Sequence, residues 1–171
     1  MPGMKKLPVL LLCLPALAQA AWIDSEVEFE EDKPWVEVAA QLPPYPKAEN
    51  LAPFDVSSAT RNRFFVDTAS ISVGSDKVVR YTVVVEAAGG ARNVSYEGLR
   101  CETGERRLYA YGHPDGTWSR ARNAGWAPVE LRSLLSYQKT LYEDHFCPGG
   151  VNVQSAAEAV RAYEEMLPQA K

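Results

Sequence analysis

The nine residues Val78-Val79-Arg80-Tyr81-Thr82-Val83-Val84-Val85-Glu86 constrain the fold more than any other stretch. Almost all are β-branched or aromatic, which suits an extended, pleated strand. Val79, Tyr81, Val83 and Val85 fall on one face and Val84 on the other. A strand apolar on both faces belongs in the middle of a sheet with cover on both sides. The rest of the chain must supply that cover.

Turn signals bracket this strand. Gly74-Ser75-Asp76 precedes it and Gly89-Gly90 follows it. Phe64-Phe65-Val66 and Ile71-Ser72-Val73 are short β-rich runs upstream, and Val94 to Leu99 continues the sheet downstream. Thr103-Gly104-Glu105 turns the chain into Leu108-Tyr109-Ala110-Tyr111. In Pro114-Asp115-Gly116 the proline presets the first corner and the glycine accepts positive φ, so Thr117-Trp118-Ser119 returns as a strand. The stretch from Arg61 to about Arg122 reads as an antiparallel meander.

Beyond it the period changes from two to 3.6. Pro128 suits a first helical position, and Leu131, Leu134, Leu135, Leu141 and Tyr142 form one apolar stripe. Pro148-Gly149-Gly150 ends that helix near Phe146. Ser155-Ala156-Ala157-Glu158 is a capping-box pattern for a last helix, with Val160, Tyr163 and Leu167 inward. Strands followed by helices predict an α+β domain: a meander sheet with two C-terminal helices on one face.

The first twenty residues have a different purpose. Lys5 and Lys6 precede the apolar run Leu7 to Leu17, and Ala18-Gln19-Ala20 follows. This pattern predicts a secretory signal peptide cut after Ala20 and a periplasmic address. The run is too short for a permanent membrane helix, so no transmembrane anchor is expected. Lipidation is disfavoured because Leu12 precedes Cys13, where lipid attachment wants a small residue, and Cys13 lies within the apolar run. The expected division is a signal peptide at 1–20, an acidic extended arm at 21–54 and a single α+β domain at 55–168.

Charge is uneven along the chain. Between Ala21 and Thr60 there are nine acidic residues against Lys33 and Lys47, a net of −7. From Arg61 onward 14 bases against 13 acids leave +1. This balance gives no support for nucleic-acid binding, which depends on basic charge facing phosphates. The acidic arm is either solvated or laid along the arginine-rich body; Trp22, Phe29, Trp35, Val36 and Val38 favour the second. Gln41-Leu42-Pro43-Pro44-Tyr45-Pro46 must be extended, because each proline pushes its predecessor out of the helical region. It is a free linker or a strap docked through Leu42, Tyr45, Leu51 and Phe54.

Signal cleavage removes Cys13 and leaves Cys101 and Cys147. In an oxidising compartment they read as a disulfide pinning helix to sheet. The alternative is a redox pair, but such pairs sit as Cys-x-x-Cys at a helix start, and these are 46 positions apart. His113 falls in a turn and His145 on the leucine side of the first helix, where a hydrogen-bonded core histidine is the ordinary reading. Three convergent ligands are not visible, so no metal is expected. No Gly-x-Ser-x-Gly, Gly-x-Gly-x-x-Gly or phosphate loop occurs, so no catalytic residues are assigned and no cofactor is expected. One cluster stands out: Trp118, Arg120, Arg122, Asn123 and Trp126. Arginine with tryptophan suits a partner surface. The plainer reading, which the charge imbalance favours, is that the tryptophans are core and the arginines neutralise the acidic arm.

Several strings carry a resemblance. They include Gln41-Leu42-Pro43, Asn62-Arg63-Phe64-Phe65-Val66-Asp67, Gly90-Ala91-Arg92-Asn93-Val94-Ser95-Tyr96-Glu97-Gly98 and Pro114-Asp115-Gly116-Thr117-Trp118. With Arg100-Cys101 and Phe146-Cys147-Pro148-Gly149-Gly150, the chain resembles the "cryptic neisserial protein"-like family of exported bacterial proteins. The resemblance implies a periplasmic protein of no established activity and transfers no catalytic residue. It makes Cys101 and Cys147 look like family features.

The expectation is a periplasmic, non-enzymatic binding or accessory domain for an envelope component or protein. The alternatives are an enzyme on envelope material, its site assembled only by the fold, and a structural envelope protein.

Overall fold

Six strands cross a single antiparallel sheet in chain order: β1 (Leu51–Phe54), β2 (Arg63–Val73), β3 (Val78–Glu86), β4 (Arg92–Arg100), β5 (Glu105–Gly112) and β6 (Trp118–Arg120). A two-residue strand, β7 (Ala127–Pro128), also pairs with β5. This computed structural model describes residues 34–122 and 124–166. The segment expected to be a signal peptide, the expected arm up to residue 33, and Leu167 lie outside the described residues.

β3 is the middle of the sheet. It pairs with β2 and β4, and every residue from Val78 to Val84 is buried. On one face Val79, Tyr81 and Val83 join Phe64, Val66 and Leu99 in the main core with Leu141, Phe146, Ala159 and Tyr163 from the helical segments. On the other face Tyr96, Tyr109 and Ala110 are covered by Ala40 and Leu42 of the proline strap, together with Trp118. The two layers of cover are therefore helices on one side and an extended segment on the other. The strap is docked, and Pro46 is buried. Gly112 makes room for it: a Cβ there would lie 2.9 Å from the Tyr45 ring.

The two short runs before β3 are one bent strand. β2 shifts register between Asp67 and Ser72, so the residues between them form a bulge. Leu51–Phe54, at the end of the expected arm, is a paired edge strand of the sheet. The Pro114-Asp115-Gly116 turn forms as read: His113 N–H donates to Thr117 O at 2.8 Å, and Gly116 has φ of 86°.

The first helix is shorter than its leucine spacing predicts. Pro128 lies in β7 opposite Glu105, and Val129 N–H donates to Gly104 O at 2.9 Å, which holds this segment extended against the sheet. Leu131, Leu134 and Leu135 are 43, 72 and 55% exposed. Helix α1 (Tyr137–Thr140) starts only at Ser136, whose hydroxyl caps Lys139 N–H at 3.2 Å. It continues through a wider turn, Leu141–Phe146, in which Cys147 N–H reaches Tyr142 O at 2.9 Å. Helix α2 (Ala156–Met166) opens on the expected cap: Glu158 N–H donates to Ser155 Oγ at 3.1 Å, and the Glu158 carboxylate accepts from Gln154 N–H at 2.8 Å. Tyr163 reaches across to β1, donating to Ala52 O at 3.0 Å.

Cys101, just past β4, and Cys147, at the end of the wide turn, form a buried disulfide with Cα atoms 5.3 Å apart. It fastens the helical layer to the sheet. His145 is buried beside it, stacked on Tyr163 with ring centroids 4.6 Å apart. Its place in the core comes from stacking, since Nδ1 has no hydrogen-bond partner among the described residues.

Candidate functional site

Among the described residues, the sequence-marked cluster divides into indoles held by the N-terminal segment and arginines left exposed. Trp118 and Arg120 lie in β6, Arg122 is in the turn beyond it, and Asn123 is outside the described residues. Trp118 engages the strap, and Trp126 the acidic segment just before it. Trp118 Nε1–H donates to Pro43 O at 3.0 Å, and its ring packs 5.6 Å from that of Tyr45. Trp126 Nε1–H donates to Glu37 Oε2 at 3.1 Å, and its ring meets Trp35 edge-on. Arg120 and Arg122 are exposed.

The arginines that hold the acidic segment are others. Glu37 pairs with Arg107, and its Oε1 accepts from the Tyr109 hydroxyl at 2.8 Å. Arg80 projects from near the start of β3 and grips Asp76 through two hydrogen bonds, of 2.5 and 3.1 Å. Arg80 also donates to Val38 O at 2.8 Å, while Val38 N–H donates to Asp76 Oδ2 at 2.8 Å. The strap backbone is thus threaded into a buried ion pair. The Arg100 guanidinium lies 4.2 Å over the Trp35 ring. Burial pushes the Asp76 carboxyl up, but Arg80 and the amides of Val38 and Val78 outweigh it and hold its pKa low. Burial and the neighbouring Glu37 carboxylate push Tyr109 up. One signal in the sequence marks this network: Arg80 is the single cation inside an otherwise apolar run.

The sheet face that carries the helices is not fully covered. A groove of 550 Å³ opens between the β4–β5 floor and α1. Its floor includes Ser95, Glu97 and Leu108, and its walls include Tyr111, Tyr137 and Gln138. Glu97 is 4% exposed, next to the point where the β4–β5 register shifts. Its Oε1 accepts from the Tyr137 hydroxyl at 2.6 Å and from Ser95 Oγ–H at 2.7 Å. Oε2 takes longer bonds from Tyr81 OH at 3.4 Å and from Gln138 Nε2 at 3.5 Å. Burial first, and the Glu97 charge second, push the Tyr81 and Tyr137 hydroxyls up. They stay protonated and donating at neutral pH.

This arrangement orients groups more than it activates them. Glu97 is surrounded by donors, so it is an acceptor hub tying α1 to the sheet rather than a base poised for proton abstraction. Among the described residues no group of three His, Cys, Asp or Glu side chains is placed to hold a metal ion, and no helix is long and apolar enough to cross a membrane. Sequence reading missed Glu97 because a lone acid in a strand marks no face. The register shift and the arrival of Tyr137 make it a buried group.

A meander sheet between a helical layer and a proline strap, with an open groove on the helical side, defines a small α+β domain. The model of the CNP1-like family matches residues 30–164, and the chain belongs to that family. No curated protein and no solved structure matches it.

Proposed function

We propose that this protein is a periplasmic, non-enzymatic binding or accessory domain for an envelope component, and that it binds through the groove between β4–β5 and α1. The observation that carries the reading is the state of Glu97. A concave site holds several convergent polar groups on partly apolar walls, and its one buried carboxylate already has hydroxyl and amide donors. That supports recognition over acid–base chemistry. The leader-like residues 1–20 and the Cys101–Cys147 bridge support an oxidising, exported setting.

The test is an NMR titration of the isotope-labelled exported protein with separate peptide, glycan and lipid fractions of the envelope. The expected outcome is that one fraction shifts the backbone amides of Ser95, Leu108, Tyr111 and Gln138, and that Tyr137→Phe weakens the response. No shift there with any fraction would overturn the groove assignment. Chemical conversion of an added fraction would favour the enzyme reading. Osmotic-shock release together with a mature mass beginning at Ala21 is expected for the periplasmic address.

A further inference from the structure

We propose that a cavity beside the proline strap binds a small zwitterion, its ammonium on Asp67 and its acidic group on Lys47. The site lies on the sheet face opposite the groove, so it goes beyond the binding reading above and stands or falls separately.

Three acids are buried among the described residues: Asp67, Asp76 and Glu97. Arg80 grips Asp76, and hydroxyl and amide donors surround Glu97. Asp67 is 3% exposed, yet it forms no ion pair among the described residues. Its carboxylate accepts one hydrogen bond there, from Ala69 N–H at 3.2 Å. Opposite it across the β2–β3 ladder stands Thr82, whose buried hydroxyl has no partner either. Burial pushes the Asp67 carboxyl up, with the Ala69 amide opposing. A buried carboxylate in this state is costly until a cationic donor reaches it.

The cavity supplies the way in. Val66 joins the core on the helical side, so the alternation of β2 turns Asp67 to the strap side. β2 then bulges before Ser72, and a cavity of 170 Å³ opens there, lined by Pro44 and Tyr45 of the strap together with Asp67. That is room for about six water-sized groups, which suits a small amino acid better than a sugar or a peptide.

Charge arranges the ligand. Lys47 lines the same cavity from an exposed position and forms no ion pair among the described residues. A buried acid with an ammonium at the rim complements a zwitterion entered ammonium first. A primary ammonium brings three N–H donors, enough for the Asp67 carboxylate and for the amide oxygen of Asn50, which also lines the cavity. The ligand's carboxylate or phosphate stays outward with Lys47. A bare cation meets repulsion from Lys47 and a bare anion from Asp67, so neither is selected.

Calorimetry and NMR titration of the exported protein test this. L-alanine and phosphoethanolamine are the zwitterions, ethylamine the bare ammonium and propionate the bare anion. A zwitterion is expected to bind and to shift the amides of Asn50, Ala69 and Ser70, with ethylamine and propionate at least about tenfold weaker. Preference for L-alanine assigns a free amino acid, and preference for phosphoethanolamine a lipid headgroup. Asp67→Asn keeps the shape and removes the charge, so it is expected to weaken binding at least about tenfold without lowering the melting temperature. Lys47→Ala, at an exposed position, is expected to weaken binding several-fold. Where Asp67→Asn fails to fold, Lys47→Ala decides alone. Absence of zwitterion binding, equal binding of ethylamine or propionate, or full affinity in either variant would overturn the proposal. Tighter binding in Lys47→Ala would also overturn it, by making Lys47 the counterion of Asp67 itself. Shifts confined to Ser95, Leu108, Tyr111 and Gln138 would overturn it and leave the groove reading standing.

Discussion

Glu37 Oε2 accepts the indole N–H of Trp126 at 3.1 Å, joining residues 89 positions apart. The same carboxylate pairs with Arg107 and takes the Tyr109 hydroxyl. It is the point at which the strap is locked to the sheet. Removing one partner of a half-buried network leaves the others short of a charge, which costs more than the pair's net worth. Glu37→Gln is expected to destabilise the protein by about 2 kcal/mol. Urea denaturation checks this, and a change below a few tenths of a kcal/mol would mean that the strap holds without its clamp.

Strap packing can be probed without touching charge. A Cβ at Gly112 would lie 2.9 Å from Tyr45 Cε2 and from Val94 Cβ. Gly112→Ala must push the strap or β4 aside, at an expected cost of about 1–3 kcal/mol. The structural readout is a change in the fluorescence of Trp118, whose ring rests on Tyr45. An unchanged spectrum with unchanged stability would contradict the close approach.

The Cys101–Cys147 bridge closes a loop of 46 positions. On the chain-entropy account it restricts the unfolded chain by about 4 kcal/mol. Reductant, or the double substitution to Ser, is expected to lower the melting temperature strongly. An identical melting temperature with and without reductant would remove its structural role.

His145 gives the protein a pH dependence of definite sign. Burial lowers its pKa below 6.5, with Asp144 opposing. The unfolded chain therefore takes up a proton that the folded core resists. The stability that comes from keeping the ring neutral is complete above about pH 6.5 and is lost as pH falls below it. His145→Phe is expected to flatten the melting temperature between pH 7.5 and 5.5. The slope is the readout, so a uniform packing cost does not enter. An unaltered slope would place the titration elsewhere.

Much of the sheet was legible because its signals are local. The β3 run announced a central strand covered on both faces, and both faces are covered. The Pro114-Asp115-Gly116 turn and the Ser155 cap depend on neighbouring residues, and both formed where the chain marked them. The leucine stripe after Pro128 misled because periodicity cannot see a competing strand. Val129 is drawn to Gly104 by a backbone hydrogen bond, and the helix waits for Ser136.

The groove and the clamp belong to tertiary structure. By itself the sequence determined an α+β meander and an extended proline segment, and its predicted leader singled out Cys101 and Cys147 as the pair to bridge. These follow from backbone preference, hydrophobic period and cysteine count, which act over a few residues or need no geometry. Only the fold decided that Glu37 meets Arg107 and Trp126 while Arg120 stays exposed, and that Glu97 lies under Tyr137 at the base of a groove. The reason is physical. Which carboxylate meets which donor is set by where the strap crosses the sheet and where β4 shifts register against β5, and neither is written in any local run of residues.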